Sequence, residues 1–506
     1  MERPHISSDW LSARAAVSSR DTALVVSGRA YTFRQLDGMV SALCGYLTRQ
    51  NIGRGDHVGM LMPNSLAAVC LVFSAARIGA VLVPLNTRLT AEELRWQISH
   101  SHCACVVCLE TNEQVAREAT GDQVPVYPVP QSIDEFQDWI GRLPTGAGSR
   151  YAPIDMDSLQ AIMFTSGTTG FPKGAMIIFD NHFWSAVGSA FKLGVMPNDR
   201  WLACLPLYHV GGLAILFRSC IYGTTVVLHD GFEVDAVLGS LARDDITIVS
   251  LVPTMLSRLM ECGLSGKTAP NLRLVLLGGA AATTDLLAQA SAASLPVAIT
   301  YGLTEACSQV ATMLPATTRE KPGSVGQPLF STEILILEDD GREAPPNIPG
   351  EITIKGPTVM RGYYEDQPAT AASLHGSSLH TGDIGYKDDD GDLWVLDRRS
   401  DLIVSGGENV YPAEVERVLT GHPSVKVACV IGLPHPDWGK QVAAIVVLHD
   451  GASLSADELL EYSRLHLAGY KQPRAIFFSD TLPLTGSGKV QRKKVVENLA
   501  VFGKPA

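Results

Sequence analysis

Thr165-Ser166-Gly167-Thr168-Thr169-Gly170-Phe171-Pro172-Lys173-Gly174 follows directly on the apolar run 161–164. Its glycines permit close backbone approach to a ligand, its hydroxyls donate to phosphoryl oxygens, and Lys173 brings a mobile positive charge to a polyphosphate. A short apolar strand running into such a loop is the unit from which α/β phosphate sites are built. The spacing is not that of a Walker A loop, so it licenses neither kinase nor ordinary NTPase chemistry. Taken alone, the stretch also reads as a Ser/Thr/Gly-rich surface turn with an incidental lysine.

The sequence on either side keeps the same rhythm. Before the loop, helical patterns at 32–47 and 90–99 alternate with apolar runs at 57–62, 79–84 and 104–109, which predicts an α/β layer. Residues 129–151 are richer in Gly, Pro and polar side chains and read as a weakly packed connection. After the loop, strands are expected at 201–205, 224–228, 246–252, 272–277 and 297–300, a doubly wound pattern whose strand order the sequence does not reveal. From Gly323 the texture turns β-rich, with strands expected at 331–337, 350–354 and 392–396. A second α/β module follows, with strands at 425–432, 443–448 and 475–478 and helices at 413–419 and 455–466.

Composition bounds what such a chain can do. At 506 residues it exceeds the size of one ordinary hydrophobic core, so more than one domain is expected. Apolar residues make up 46% and charged ones 18%, which suits a well-buried enzyme rather than a disordered chain. A net charge of −12 without a long basic tract excludes a nucleic-acid partner. Residues 1–20 lack a signal-peptide core and the apolar run 66–83 carries Arg77, so a cytoplasmic protein without a transmembrane segment is expected. Of ten cysteines, most sit singly in apolar segments. Cys103, Cys105 and Cys108, with His100 and His102 nearby, lie in a strand-like run and read as core rather than zinc ligands.

Further polar strings accompany the loop: Tyr301-Gly302-Leu303-Thr304-Glu305, His380-Thr381-Gly382-Asp383, Asp397-Arg398-Arg399-Ser400-Asp401, Ser405-Gly406-Gly407-Glu408-Asn409 and Thr485-Gly486-Ser487-Gly488-Lys489. Singly, each has an ordinary explanation. Glu305 reads as an acid paired with a local cation, Asp383 as a turn cap, Arg398 as a boundary salt bridge and Lys489 as a solvent-facing lysine. Together they resemble the adenylate-forming superfamily of acyl-CoA synthetases, luciferases and peptide-synthetase adenylation domains, over nearly the whole chain from Tyr31 onward.

That resemblance implies a large multilayer α/β N-terminal domain with a β-rich subdomain (1–397), a hinge (398–402) and a smaller mobile α/β C-terminal domain (403–506). It implies that Thr165, Ser166, Gly167, Thr168, Thr169, Gly170 and Lys173 cradle the phosphates of ATP, and that Gly278, Gly279, Ala280 and Tyr301 form the adenine pocket. Asp383 would bind the ribose hydroxyls with Arg398 alongside, Thr304 would meet the α-phosphate, and Glu305 would hold Mg2+. Lys489 would enter the site for adenylation only, and the chain would turn about Ser400, where many relatives have Asp or Lys. Joining a carboxylate to a phosphoryl group gathers negative charge, so a cation and oriented donors are what the chemistry needs.

Pro206-Leu207-Tyr208-His209-Val210-Gly211-Gly212 is a further match, which implies a pocket or gating role for His209; a packed aromatic–His turn is the plainer reading. A narrower resemblance, through Leu216-Phe217-Arg218-Ser219-Cys220-Ile221-Tyr222-Gly223 and Cys307-Ser308-Gln309-Val310, is to the o-succinylbenzoate-CoA ligases of menaquinone synthesis, which share the hinge Ser. It implies an acid with two carboxylates, one activated and one recognised, and CoA as co-substrate. Arg218 with Ser308 is the candidate anchor for the unreacted carboxylate; an Arg capping the segment 201–222 is the alternative. Another aryl- or medium-chain acyl-CoA ligase, a carrier-loading adenylation domain and a non-enzymatic nucleotide sensor are competing functions, and a homo-oligomer is left open.

Overall fold

The computed structural model of the chain describes residues 6–121, 123–143, 153–165, 171–318, 320–397, 402–483, 490 and 492–497. The apolar runs around the loop form two largely parallel sheets. One has six strands in the order Lys173–Ile178, Leu159–Thr165, Val81–Pro84, His57–Leu61, Cys103–Leu109, Val126–Val129. The other has nine, in which Leu274–Leu277, Ile248–Leu251, Arg200–Ala203 and Thr225–Leu228 lie side by side and parallel. Val297–Leu303 continues the parallel run, and Ser308–Met313 turns back antiparallel beside it. Strands buried on both faces need no polar alternation, which is why they read as continuous Val/Ile/Leu runs.

Helices cover both faces of the nine-stranded sheet. Leu66–Ile78, almost wholly buried, belongs to one core cluster shared with the six-stranded sheet. Val234–Arg243, Pro253–Glu261 and Thr284–Ala292 contribute to a second cluster on the other side. The β-rich part is an antiparallel sheet of Glu333–Leu337, Gly350–Lys355, Ser378–Lys387 and Leu374–His375, with Leu393–Asp397 beside Ser378–Lys387. Its Ile334, Ile336, Ile352 and Ile354 join the first core.

The connection expected at 129–151 is in part a helix, Ile133–Arg142, with Phe136 and Ile140 buried. Ser132 caps it: its hydroxyl accepts from the Glu135 N–H at 3.2 Å and donates to the Glu135 carboxylate at 2.6 Å. Ile133 and Trp139 pack against the same core, so the helix buries one apolar face that the segment's overall composition does not reveal.

Backbone packing separates two units, Met1–Thr87 with Ile98–Phe164 and Gly174–Asp397, and Arg88–Gln97 with Thr165–Lys173 and Arg398–Ala506. The second contains a five-stranded sheet, Glu408–Val410, Ile403–Ser405, Gly439–Leu448 and Val425–His435, with Ala475–Phe478 on Gly439–Leu448. Within this unit Lys471 is buried between Glu93 at 2.8 Å and Glu414 at 2.7 Å. Loss of Lys471 leaves the two carboxylates without their shared cation and costs about 3–5 kcal/mol.

Among the described residues no helix is long and apolar enough to cross a membrane. All ten cysteines are free. Burial in the strand Cys103–Leu109 pushes the Cys103 thiol up to about 11 and those of Cys105 and Cys108 up to about 12.

Candidate active site

Adjacent parallel strands of the nine-stranded sheet end in the strings picked out from the sequence. Leu274–Leu277 runs into Gly278, Gly279 and Ala280, and Val297–Leu303 carries Tyr301 and leads into the 3-10 turn Thr304–Ala306. Arg200–Ala203 precedes His209, the residue before the helix Val210–Tyr222. The carboxyl ends of such strands are where open α/β sheets form ligand crevices. Two glycines here are required by close approach. A Cβ on Gly302 would lie 1.8 Å from the Ser308 carbonyl oxygen, and one on Gly212 would lie 2.3 Å from that of Pro206.

Tyr301 is buried, and its hydroxyl donates to Asp383 Oδ2 at 2.6 Å. That bond brings the β-rich sheet's aspartate to the strand end where the adenine and ribose residues were expected. Asp383 is not a turn cap: Thr381 fills that role, accepting from the Asp383 N–H at 3.0 Å. Glu305 is likewise not a surface acid. It is 5% exposed, Tyr363 donates to its Oε1 at 2.8 Å, and its backbone carbonyl accepts from Met360 N–H. Among the described residues no hydrogen bond or cation reaches its second carboxylate oxygen. A fixed carboxylate with one oxygen uncommitted fits a hard divalent cation such as Mg2+.

The Arg218 side chain is buried on Val210–Tyr222, 1% exposed. It does not cap its segment, because Gly223, with left-handed φ, ends the helix by donating to Ser219 O. Arg218 Nη2 instead donates to Ser185 Oγ at 2.9 Å, and Ser185 donates to Cys307 O at 2.8 Å. Cys307 and Ser308 both have positive φ, 50° and 89°, a strained pair that follows Glu305 and Ala306. Thus Arg218 and Ser308 are linked through Ser185 and the Cys307 carbonyl. Arg218 Nε has no hydrogen-bond partner, and no carboxylate lies within ion-pairing distance among the described residues. Burial pulls its pKa down, opposed by Tyr222 and Cys307.

His182 lies against this group, its ring 4.4 Å from that of Phe217. Burial, with the Arg218 charge adding to it, lowers the His182 pKa to about 3, so the imidazole is neutral. Its Nε2–H therefore donates to Gln160 Oε1 at 2.9 Å, and Nδ1 accepts from the Cys307 thiol at 3.5 Å. The sequence reading missed His182 and Ser185, and also Tyr363. The first two stand with Ser189 at positions 182, 185 and 189, a buried polar stripe on the helix Phe179–Leu193, and that spacing was the available signal. Nothing local marks Tyr363.

Where the Ser/Thr/Gly-rich stretch begins and ends, Thr165 Oγ1 donates to Lys173 O at 3.3 Å. Phe171 stacks on Trp96 at 5.3 Å and lies 4.3 Å from the Arg417 guanidinium. Ser166, Gly167, Thr168, Thr169, Gly170, Arg398, Ser400 and Lys489 lie outside the described residues.

Comparison with known proteins identifies the family. Residues 11–364 match the AMP-binding enzyme family, and residues 414–489 match the AMP-binding enzyme C-terminal domain. A 2-succinylbenzoate–CoA ligase of Bacillus licheniformis is 43% identical over 487 residues, 96% of this chain and 99% of its own. A double mutant of o-succinylbenzoate CoA synthetase from Bacillus subtilis, bound with its product analogue OSB-NCoA, superposes with a TM-score of 0.90 at 39% identity, over 98% of this chain and 99% of that one. The same enzyme in complex with ATP and magnesium ion gives 0.74 at 40% identity, over 98% and 100%. The chain belongs to the AMP-binding enzyme family.

Proposed function

We propose that this chain is an AMP-forming acid–thiol ligase that converts o-succinylbenzoate, ATP and CoA into o-succinylbenzoyl-CoA, AMP and pyrophosphate. A succinyl carboxylate oxygen attacks the α-phosphorus of ATP, the bond from that phosphorus to the bridging oxygen breaks, and pyrophosphate leaves. The CoA sulfur, its proton lost to solvent, then attacks the acyl carbon, and AMP departs with the oxygen that had joined it to the acid. The acyl-adenylate between the two steps is already a good electrophile, so no protein nucleophile is required.

Each residue contributes charge or position. The loop from Thr165 to Lys173 cradles the phosphates, Gly278 to Ala280 and Tyr301 take the adenine, and Asp383, with Arg398, takes the ribose. Thr304 donates to the α-phosphate where charge builds. Glu305 holds Mg2+, which supplies positive charge against the phosphates when bound. Lys489 offsets the carboxylate and phosphoryl charges during adenylation, Ser400 is the pivot that removes it, and His209 gates the acyl pocket. Ten free cysteines suit a reducing compartment such as the cytoplasm.

The observation that carries the choice of acid is Arg218: a guanidinium 1% exposed, with Nε unpartnered and no carboxylate beside it. A buried cation without a counter-ion is costly, and a ligand carboxylate, reached directly or through water, supplies that counter-ion. A plain fatty acid leaves the charge unpaired and is disfavoured. The test is CoA-dependent AMP release with o-succinylbenzoate, benzoate, short and medium fatty acids, and an analogue whose aromatic carboxylate is an ester. The diacid is expected to be used most efficiently. Equal use of the ester removes the Arg218 anchor, and preference for a fatty acid or benzoate moves the chain to another acyl-CoA ligase.

A further inference from the structure

Asp383 projects from an interruption in the β-rich sheet. Gly350–Lys355 and Ser378–Lys387 pair antiparallel, with Glu351 opposite Ile384 and Thr353 opposite His380, so Thr381, Gly382 and Asp383 together face Ile352 alone. Such a bulge takes backbone N–H groups off the ladder, and they need other acceptors. Thr381 serves the Asp383 N–H at 3.0 Å and donates its own hydroxyl to Ile352 O at 2.6 Å. Gly382, with φ 71°, donates its N–H to Glu351 Oε1 at 3.0 Å.

Glu351 therefore has both carboxylate oxygens engaged on one turn, because its Oε2 accepts from His380 Nδ1 at 2.8 Å. The two bonds bracket the turn on the strand that presents Asp383, while Tyr301 fixes the carboxylate end. A carboxylate accepting from a backbone N–H makes a stronger bond than a neutral acceptor, and losing it leaves that N–H without a partner. Glu351 is absent from the strings that mark the nucleotide site in the sequence.

We propose that Glu351 is a positioning residue for ribose recognition, holding the His380–Gly382 turn so that Asp383 meets the ribose hydroxyls. This rests on the reading of Asp383 as the ribose ligand. Glu351 itself touches no nucleotide.

The experiment is calorimetric binding of AMP, 2′-deoxy-AMP and 3′-deoxy-AMP to the full-length wild type, Glu351→Ala and Glu351→Gln, with thermal melting of each. The wild type is expected to bind AMP about tenfold or more tightly than at least one deoxy form, the size of one charge-assisted hydrogen bond. Glu351→Ala is expected to lose this discrimination to within about twofold, AMP falling toward the deoxy affinity. Glu351→Gln, which keeps an oxygen for Gly382, is expected to retain most of it. Equal wild-type binding of all three nucleotides would remove the ribose reading of Asp383, and the inference with it. Wild-type discrimination that persists unchanged in Glu351→Ala overturns the role of Glu351 alone. A parallel fall for all three nucleotides with a lowered melting temperature also overturns it, leaving Glu351 a structural residue.

Discussion

Replacing Arg218 by Met is expected to make the protein more stable and a much worse catalyst for its diacid. The side chain is 1% exposed, its Nε is unpartnered, and its one hydrogen bond, to Ser185, is between a charge and a neutral hydroxyl. Burying an ion carries an effective penalty of several kcal/mol, whereas the lost hydrogen bond offsets about 1–3 kcal/mol of the relief. Met has comparable length and adapts to irregular space. The net expectation is a gain of about 1–3 kcal/mol, read as a higher urea midpoint at unchanged slope. With substrate bound the balance reverses, because the buried carboxylate loses its counter-charge. That costs about 3–5 kcal/mol, or roughly 10²- to 10⁴-fold in kcat/KM for o-succinylbenzoate, with little change for a simple acid. Steady-state AMP release on both acids, beside the urea curves, makes the comparison. A variant that is less stable and discriminates as the wild type does would refute the reasoning: Arg218 would then be a packing residue.

Glu305→Gln keeps size and loses charge, so it is expected to raise the magnesium concentration needed for adenylation; Tyr363→Phe, which frees Glu305 Oε1, is expected to do so to a lesser degree. Unchanged magnesium titrations in both would end that assignment. Lys489→Ala is expected to slow acyl-adenylate formation at least ~100-fold, in the range of one lost electrostatic stabiliser, while leaving transfer from preformed adenylate to CoA largely intact. Equal loss in the two half-reactions would contradict it. His182, held at a pKa of about 3 against an ordinary 6.5, contributes stability that is complete above pH 6.5 and is lost as pH falls towards 3. Between pH 6.5 and 5 the protein should lose about 2 kcal/mol through this group, a component that His182→Gln should lack in urea midpoints compared at the two values. An identical pH dependence in the variant would show that His182 does not titrate as described.

Much of the architecture was legible along the chain because it rests on local chemistry. Apolar runs such as 274–277 and 297–300 bounded by Gly and polar residues are strands whatever surrounds them; the string 301–305 closes the second of them, and 380–383 lies within the strand Ser378–Lys387. The helix Ile133–Arg142 escaped because its signal was Ser132 and Glu135 at capping distance, while the surrounding Pro and Gly suggested a loop. Short-range rules of this kind describe backbone preference, and they say nothing of which strings meet.

Meeting was decided by the tertiary structure. Tyr301 and Asp383, 82 residues apart, touch because the β-rich sheet shares a core with the nine-stranded one. Tyr363 reaches Glu305 across 58 residues for the same reason, and Glu351 grips Gly382 because a register shift between two strands leaves an N–H to be satisfied. Whether Arg218 capped its helix or faced a ligand was undecidable in sequence, since both readings use the same residue at the same place. Gly223 ends the helix, which removes the capping reading, and no carboxylate lies beside the guanidinium among the described residues. The hydrophobic effect that encodes strands and helices is non-directional and local in pattern, whereas partner choice for a buried charge depends on every element packed around it.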